Sequence, residues 1–323
     1  MYRKISAIVI PTIIAVGIMV YMLYRIWDDL IQAIRHMVPA WLAIAVAICL
    51  IAWVLRGWRY RAILSSLGYR VKLVMSTACI FVSQTANLVI PARLGDFVRV
   101  FILRHEHATT YSEGVSSIVV ERVFDIFTVA ILGALALPFI LSVPSWFYVV
   151  IIIPIVAGAA FFVFLFCTGK CTAENKYIRI VLTMLHEIRK ASLSVRSLLV
   201  LSASSIVIWL LDVLVCVSVV LMLGQSIPFP VVVLAIVIGN LVKAVPITPG
   251  GVGTYEIALT GVFVLGGVPW EMGFLIAAID HLIKNLVTLA GGIASIYYLG
   301  DWVVPTIKSA FNSKMTGGTD TER

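Results

Sequence analysis

The chain has 323 residues, 61% of them hydrophobic and only 12% charged, with a mean hydropathy of +1.07; soluble domains are about half apolar and a quarter charged, so a water-soluble globule is excluded. The formal net charge of +8 does not point to nucleic acid, because the basic residues fall in short clusters between apolar runs, the arrangement of cytoplasmic loops. The five cysteines are odd in number and lie mostly inside those runs, so they read as small packing residues, and neither a disulfide framework, a metal site nor a cofactor is expected.

Arg3 and Lys4 precede an apolar run at 5–24, which is too long for a signal-peptide core and lacks a small-residue cleavage pattern, so it reads as a retained first span. Further runs of the order needed to cross hydrocarbon, roughly 20 residues, follow at 41–55, 115–141, 146–166, 198–223 and 272–299. Two other apolar stretches, 74–90 and 231–245, each meet a Pro/Gly break and then a second, shorter apolar piece, 97–103 and 255–268. Each pair is expected to form a re-entrant helical hairpin that enters and leaves on one side. The fold class is therefore an all-α polytopic integral membrane protein with six full spans plus two re-entrant helical hairpins. The segment 168–197 is a basic cytoplasmic connector; within it, apolar residues recur at three- and four-residue spacing, which predicts a helix on the membrane surface. Contact with anionic lipid and a purely topological role are both open for it.

The basic residues test this arrangement. Arg3 and Lys4, the cluster from Arg56 and Arg59 to Lys72, the cluster from Lys170 to Arg196, and Lys308 and Lys314 all fall on one side. The opposite side receives two uncharged loops and one mixed loop with Arg25, Asp28, Asp29 and Arg35. The protein is thus expected in the cell membrane, multi-pass, with both termini cytoplasmic. Hairpins whose arms both cross fully would leave this parity unchanged.

The two broken segments resemble one another. Asn87-Leu-Val, Pro91 and Gly95-Asp96 match Asn240-Leu-Val, Pro249, Gly253 and Glu256. Upstream, Trp53-Val-Leu-Arg56 parallels Trp209-Leu-Leu-Asp212, and downstream Glu121-Arg122 parallels Asp280-His281. Each half, 1–142 and 146–300, holds an odd number of crossings, so the second is expected to be inverted relative to the first within one transmembrane domain, followed by a polar tail at 303–323. Inverted repeats with broken helices are the sequence signature of transporters, with the site near the bilayer midplane.

Charge inside the spans locates that site. Glu121, Arg122 and Asp125 lie within about one turn; Arg122 can pair with Asp125, while Glu121 and Asp125 share a face and repel unless a cation or proton lies between them. Asp280 and Lys284 stand at i,i+4 beside His281. Each such charge costs about 2.5–3.5 kcal/mol at a span centre, which argues for a polar cavity. In the hairpins, Asp96 is placed to cap a helix from Phe97 between Arg93 and Arg99. Lys243 leads to Thr248, Gly250, Gly251 and Gly253, where the chain unwinds and Thr254 can cap the helix carrying Glu256. Helix N-termini and nearby cations favour an anionic head group. The bland alternative is that Asp96 and Glu256 only cap their own helices and Arg122 with Asp125 is an internal staple; repetition in both halves argues against it for the set.

The stretches LRGWRYRAILSSLGYRV, NLVIPARLGDFVRVFIL, SSIVVERVFDIF and PITPGGVGTYEIAL, in that order, resemble the signature segments of the lysylphosphatidylglycerol synthase transmembrane, or flippase-like, family. The resemblance covers about residues 53–299. It implies movement of lipids between leaflets, or action near polyprenyl-phosphate sugar pathways. The bifunctional synthases carry a soluble aminoacyl-transfer domain after the membrane part, whereas this sequence ends in a short polar tail, so aminoacyl-lipid synthesis is not expected of it alone. AIDHLIKN is also more charged than the aromatic-rich segment usual at that place.

The reading is a lipid translocase, a transporter rather than an enzyme, that moves an anionic or phosphate-bearing lipid through a polar cavity formed by opposing broken helices. Arg93, Arg99, Arg122 and Lys243 would contact the head group, and Asp96, Glu121, Asp125 and Glu256 would hold those cations or carry protons. Two alternatives stand beside it: a membrane-embedded transferase acting on a lipid-linked phosphate, and a non-catalytic partner of a separate lipid-modifying synthase or glycosyltransferase.

Overall fold

The computed structural model describes residues 37–140, 144–167, 175–245 and 248–303, with positions 24, 27, 31, 32, 35 and 305 beside them. The expected span at 5–24 and the tail beyond 305 lie outside the described residues, except for Tyr24. Among the described residues the regular structure is helical, without strands.

Helix α1, Pro39–Leu67, starts with proline at its first turn and stops at Gly68, whose left-handed backbone returns its N–H to Leu64 and Ser65. Its 29 residues correspond to about 43 Å. Helix α2, Leu73–Val89, ends where Pro91 cannot continue it; a tight turn, Pro91–Phe97, leads into α3, Val98–His107. Helix α4, Tyr111–Ala136, opens on a full capping box of Thr110 and Glu113, which Tyr69 braces with a hydroxyl bond of 2.6 Å. Helix α5, Ser145–Cys167, is almost wholly apolar and packs on the outside of α4. The connector forms α6, Lys176–Ser192, capped by Asn175, and lies against α4 and the end of α1. Helix α7, Val195–Met222, is capped by Ser194. Helix α8, Phe229–Ala244, is followed by the turn Pro249–Gly251, by α9, Thr254–Leu265, and by α10, Trp270–Leu299.

Among the described residues four helices, α1, α5, α7 and α10, are both long and apolar enough to cross a membrane. Helix α4 is 26 residues long but carries Glu113, Glu121, Arg122 and Asp125. Helices α2, α3, α8 and α9 have 17, 10, 16 and 12 residues, and at 1.5 Å per residue none reaches the ~30 Å thickness of hydrocarbon.

The packing places the two broken segments face to face. Helix α1 runs against α7, α2 against α10, and α4 against α8, while the turn at 91–97 touches the turn at 249–251. Contact between α2 and α10 is close because Gly292 has no side chain: a Cβ there would fall 2.0 Å from Thr85 Oγ1. Thr85 donates to the Thr288 carbonyl at 2.9 Å across the same seam.

Candidate functional site

Between the broken segments lies a polar cavity of about 140 Å³, room for about five waters at the ~30 Å³ each takes in the liquid. It is lined by residues from α1, α2, α4, α7, α8, α9, α10 and both turns. Ten of the residues proposed from the sequence line it: Arg93, Glu121, Arg122, Asp125, Lys243, Thr248, Gly250, Gly251, His281 and Lys284. Asp96, Arg99, Gly253, Glu256 and Asp280 lie behind that wall and hold the lining residues from the back.

The first wall is organised around Arg59. Its guanidinium is 1% exposed and donates to Asp125 at 2.5 and 3.0 Å, to Glu121 at 3.3 Å and to Ser205 Oγ at 2.7 Å. Arg59 is thus the cation that lets Glu121 and Asp125 share a helix face. Glu121 also takes a hydrogen bond from Arg99, whose guanidinium lies over the Tyr60 ring. Trp209 Nε1 donates to Asp125 at 3.1 Å, and Arg56 pairs with Asp212 at 2.9 Å.

Several expectations are corrected here. Arg56 and Arg59 are not loop residues; they stand inside α1, which runs on to Leu67 because no proline interrupts it and Gly68 supplies the first stop. Arg122 does not staple Asp125: it reaches across to Asp96 at 2.6 Å, and Asp125 is taken by Arg59. Asp96 caps no helix, since α3 begins at Val98 without a side-chain cap; its carboxylate instead accepts from Asn87 at 2.8 Å and Gln84 at 3.1 Å. Arg99 is fully buried against Glu121 and away from the cavity, so it supports the wall and does not face a guest. The cap of α9 is Gly253, not Thr254: the Gly253 N–H donates to Glu256 at 2.7 Å, while Thr254 turns back to the Gly251 carbonyl at 3.0 Å.

The second wall comes from α8, the second turn, α9 and α10. Asp280 and Lys284 pair at 2.9 Å as their spacing predicts, and Tyr255 donates its hydroxyl to Asp280 at 2.8 Å. Lys284 also reaches the Asp212 carboxylate at 4.0 Å, which joins the two walls. His281 is wedged between Glu256, 2.6 Å from Nδ1, and Lys243, 3.1 Å from Nε2. Gly251 adopts a φ of +80°, and a Cβ on it would sit 2.7 Å from Cγ of Lys243, so the lysine stem passes over a place that only glycine leaves open.

Charge at the cavity is unevenly matched. Arg56, Arg59, Arg99, Arg122 and Lys284 each have a carboxylate partner. Arg93 and Lys243 form no ion pair among the described residues, although both line the cavity and lie within electrostatic reach of one another. Arg93 is held with φ at +54°, an unusual conformation for a non-glycine residue. Two cations without a carboxylate partner, facing one cavity, make a pocket suited to an oxyanion. Among the described residues, no group of three or more His, Cys, Asp or Glu side chains is placed to hold a metal.

The sequence reading missed Arg56, Arg59, Asp212, Trp209, Asn87, Asn240 and Tyr255 as site residues. A signal for Arg56 and Asp212 was present in the matched Trp53–Arg56 and Trp209–Asp212 segments: these two positions are each other's ion-pair partners.

The chain matches the model of the lysylphosphatidylglycerol synthase transmembrane region over residues 8–292. It is 33% identical to the glycosyltransferase AglD of Haloferax volcanii over 89% of its own length and 53% of that protein's, so it spans about half the length of that relative. A UPF0104 membrane protein of Methanothermobacter thermautotrophicus is 27% identical over 89% of this chain and 93% of its own. The UPF0104 membrane protein MJ1078 of Methanocaldococcus jannaschii is 27% identical over 61% and 87%, respectively. The chain is a multi-pass membrane protein and belongs to the lysylphosphatidylglycerol synthase transmembrane region family.

Proposed function

We infer that the protein is a lipid translocase that carries an anionic, phosphate-bearing head group through the cavity between its two broken segments while the lipid tails stay in the bilayer. The observation that carries this reading is the pair of unmatched cations, Arg93 and Lys243, in a cavity between helices too short to span. An anion placed between them relieves their mutual repulsion and completes the charge balance of the site.

The two halves, 1–142 and 146–300, act as inverted repeats with re-entrant hairpins. Three features support this: the reciprocal packing of α1 with α7, α2 with α10 and α4 with α8, the contact between the turns, and the Arg56–Asp212 pair at equivalent positions. Asp96 and Asp280 hold the lining cations Arg122 and Lys284, Glu121 and Asp125 hold Arg59 and Arg99 behind them, and both termini face the cytoplasm in the cell membrane. In proteoliposomes the protein should move fluorescent phosphatidylglycerol or a polyprenyl phosphate between leaflets, and Lys243→Met should slow this about tenfold or more. Wild-type flux in Lys243→Met would refute the anion site.

A second reading, a membrane-embedded transferase acting on a lipid-linked phosphate, is favoured by the name glycosyltransferase carried by the Haloferax relative, of which only about half is aligned. Product formation by the purified chain from a lipid-linked sugar donor, without flux, would decide for it.

A further inference from the structure

Histidine 281 has a hydrogen-bond partner on each ring nitrogen, and the chemistry of those partners dictates its protonation. Glu256 is a carboxylate that already accepts from the Gly253 N–H through one oxygen, and its other oxygen lies 2.6 Å from Nδ1. A carboxylate only accepts, so Nδ1 carries a hydrogen. Nε2 faces the Lys243 ammonium at 3.1 Å. While Lys243 carries its proton it only donates, so Nε2 presents its lone pair and the ring is neutral in the empty cavity. Protonating Nε2 in that state would set an N–H against an ammonium with no acceptor between them.

The other charged groups around this ring are already engaged. On α10 itself Asp280 and Lys284 pair with each other; from α9 the Tyr255 ring lies tilted beside the imidazole, 4.6 Å between centroids, with its hydroxyl on Asp280. From α7, Asp212 is held by Arg56 of α1 and by Lys284, and α2 presents the carboxamides of Gln84 and Asn87. Arg93, in the first turn, lines the same cavity. Lys243 and His281 are therefore the groups whose bonding an incoming anion changes.

We propose that Glu256, His281 and Lys243 form a proton relay that couples anion binding to the uptake of one proton. When an oxyanion enters between Arg93 and Lys243, the ammonium turns from Nε2 to the anion. The vacated lone pair takes a proton from cavity water, which leaves hydroxide to the bulk buffer. The resulting imidazolium donates through Nδ1 to Glu256 and through Nε2 to the anion. A singly charged head group then travels with one proton, and no net charge crosses the membrane; release on the other side returns the proton. The relay rests on the anion-site reading above and names how that site is driven.

The test uses the purified full chain in detergent and dihexanoyl phosphatidylglycerol, whose phosphodiester keeps a single charge from pH 5 to 9. Calorimetric titration in buffers of different ionisation enthalpy counts the protons taken up per lipid bound. About one proton is expected over the interval where the empty ring is neutral and the occupied ring is protonated, and there the affinity should weaken about tenfold per unit rise in pH, as linkage requires for one proton. In His281→Gln the uptake should fall to zero and the affinity should become flat with pH. Binding by the wild-type chain without proton uptake overturns the relay and leaves the anion site standing, and this measurement decides even where the variant does not fold. Uptake that persists in His281→Gln overturns the assignment to His281. Failure of the wild-type chain to bind the lipid at any pH overturns the anion site itself, and the relay with it.

Discussion

Arg59 joins three helices through one guanidinium: it belongs to α1, its carboxylates stand on α4, and Ser205 stands on α7. Replacing it by methionine keeps the stem but leaves Glu121 and Asp125 buried and repelling. Removing one partner of a buried pair costs about 3–5 kcal/mol, so Arg59→Met should lower the thermal midpoint in detergent sharply and reduce monodisperse yield. Arg93→Gln should behave in the opposite way, since no carboxylate is orphaned by its loss. A charged hydrogen bond is worth about 1.5–3 kcal/mol, which predicts a ten- to hundredfold weaker affinity for phosphatidylglycerol at an unchanged thermal midpoint. Most carboxylates of this site were legible in the sequence because a charge within a long apolar run is conspicuous, although Asp212, alone in its run, was read only as part of the repeat. Arg56 and Arg59 were not, because they follow the apolar run of α1, where a buried arginine and a solvated one look alike until the partner on another helix is known.

The second broken segment depends on glycine chemistry at its turn. Gly251 combines a left-handed φ with the passage of the Lys243 stem. Alanine there would meet both a backbone penalty of order 1–3 kcal/mol and the Cγ of Lys243. Gly251→Ala should therefore reduce lipid flux at least as much as Lys243→Met, although Lys243 itself is intact; flux at the wild-type level would show that the lysine's path is not fixed by the turn. Element boundaries were largely readable: the expected pieces at 74–90 and 231–245 correspond to α2 and α8, Leu73–Val89 and Phe229–Ala244. Proline and glycine stop a helix by local chemistry, so they can be read locally. The caps were less legible, because Asp96 has a better use across the turn than at the start of α3, and that use depends on Asn87, Gln84 and Arg122 being brought to it.

For the whole molecule, the proposed inverted arrangement makes a prediction about sides. Glu106 at the end of α3 and Glu271 at the start of α10 are exposed. Single cysteines at these positions, in a background without native cysteine, should react with a membrane-impermeant maleimide from opposite sides of right-side-out vesicles. Labelling of both from one side would refute the inverted repeat. Composition and run lengths alone determined that the chain is a helical membrane protein, because the cost of exposing backbone polar groups in hydrocarbon leaves little choice of structure. The order of the broken segments and the carboxylates near them also followed from local pattern. Only the tertiary structure decided which cation meets which carboxylate, and so which cations are left over. An ion pair across 156 residues, such as Arg56 with Asp212, is a matter of distance between helices, and the availability of Arg93 and Lys243 emerges only after every other pair has been made.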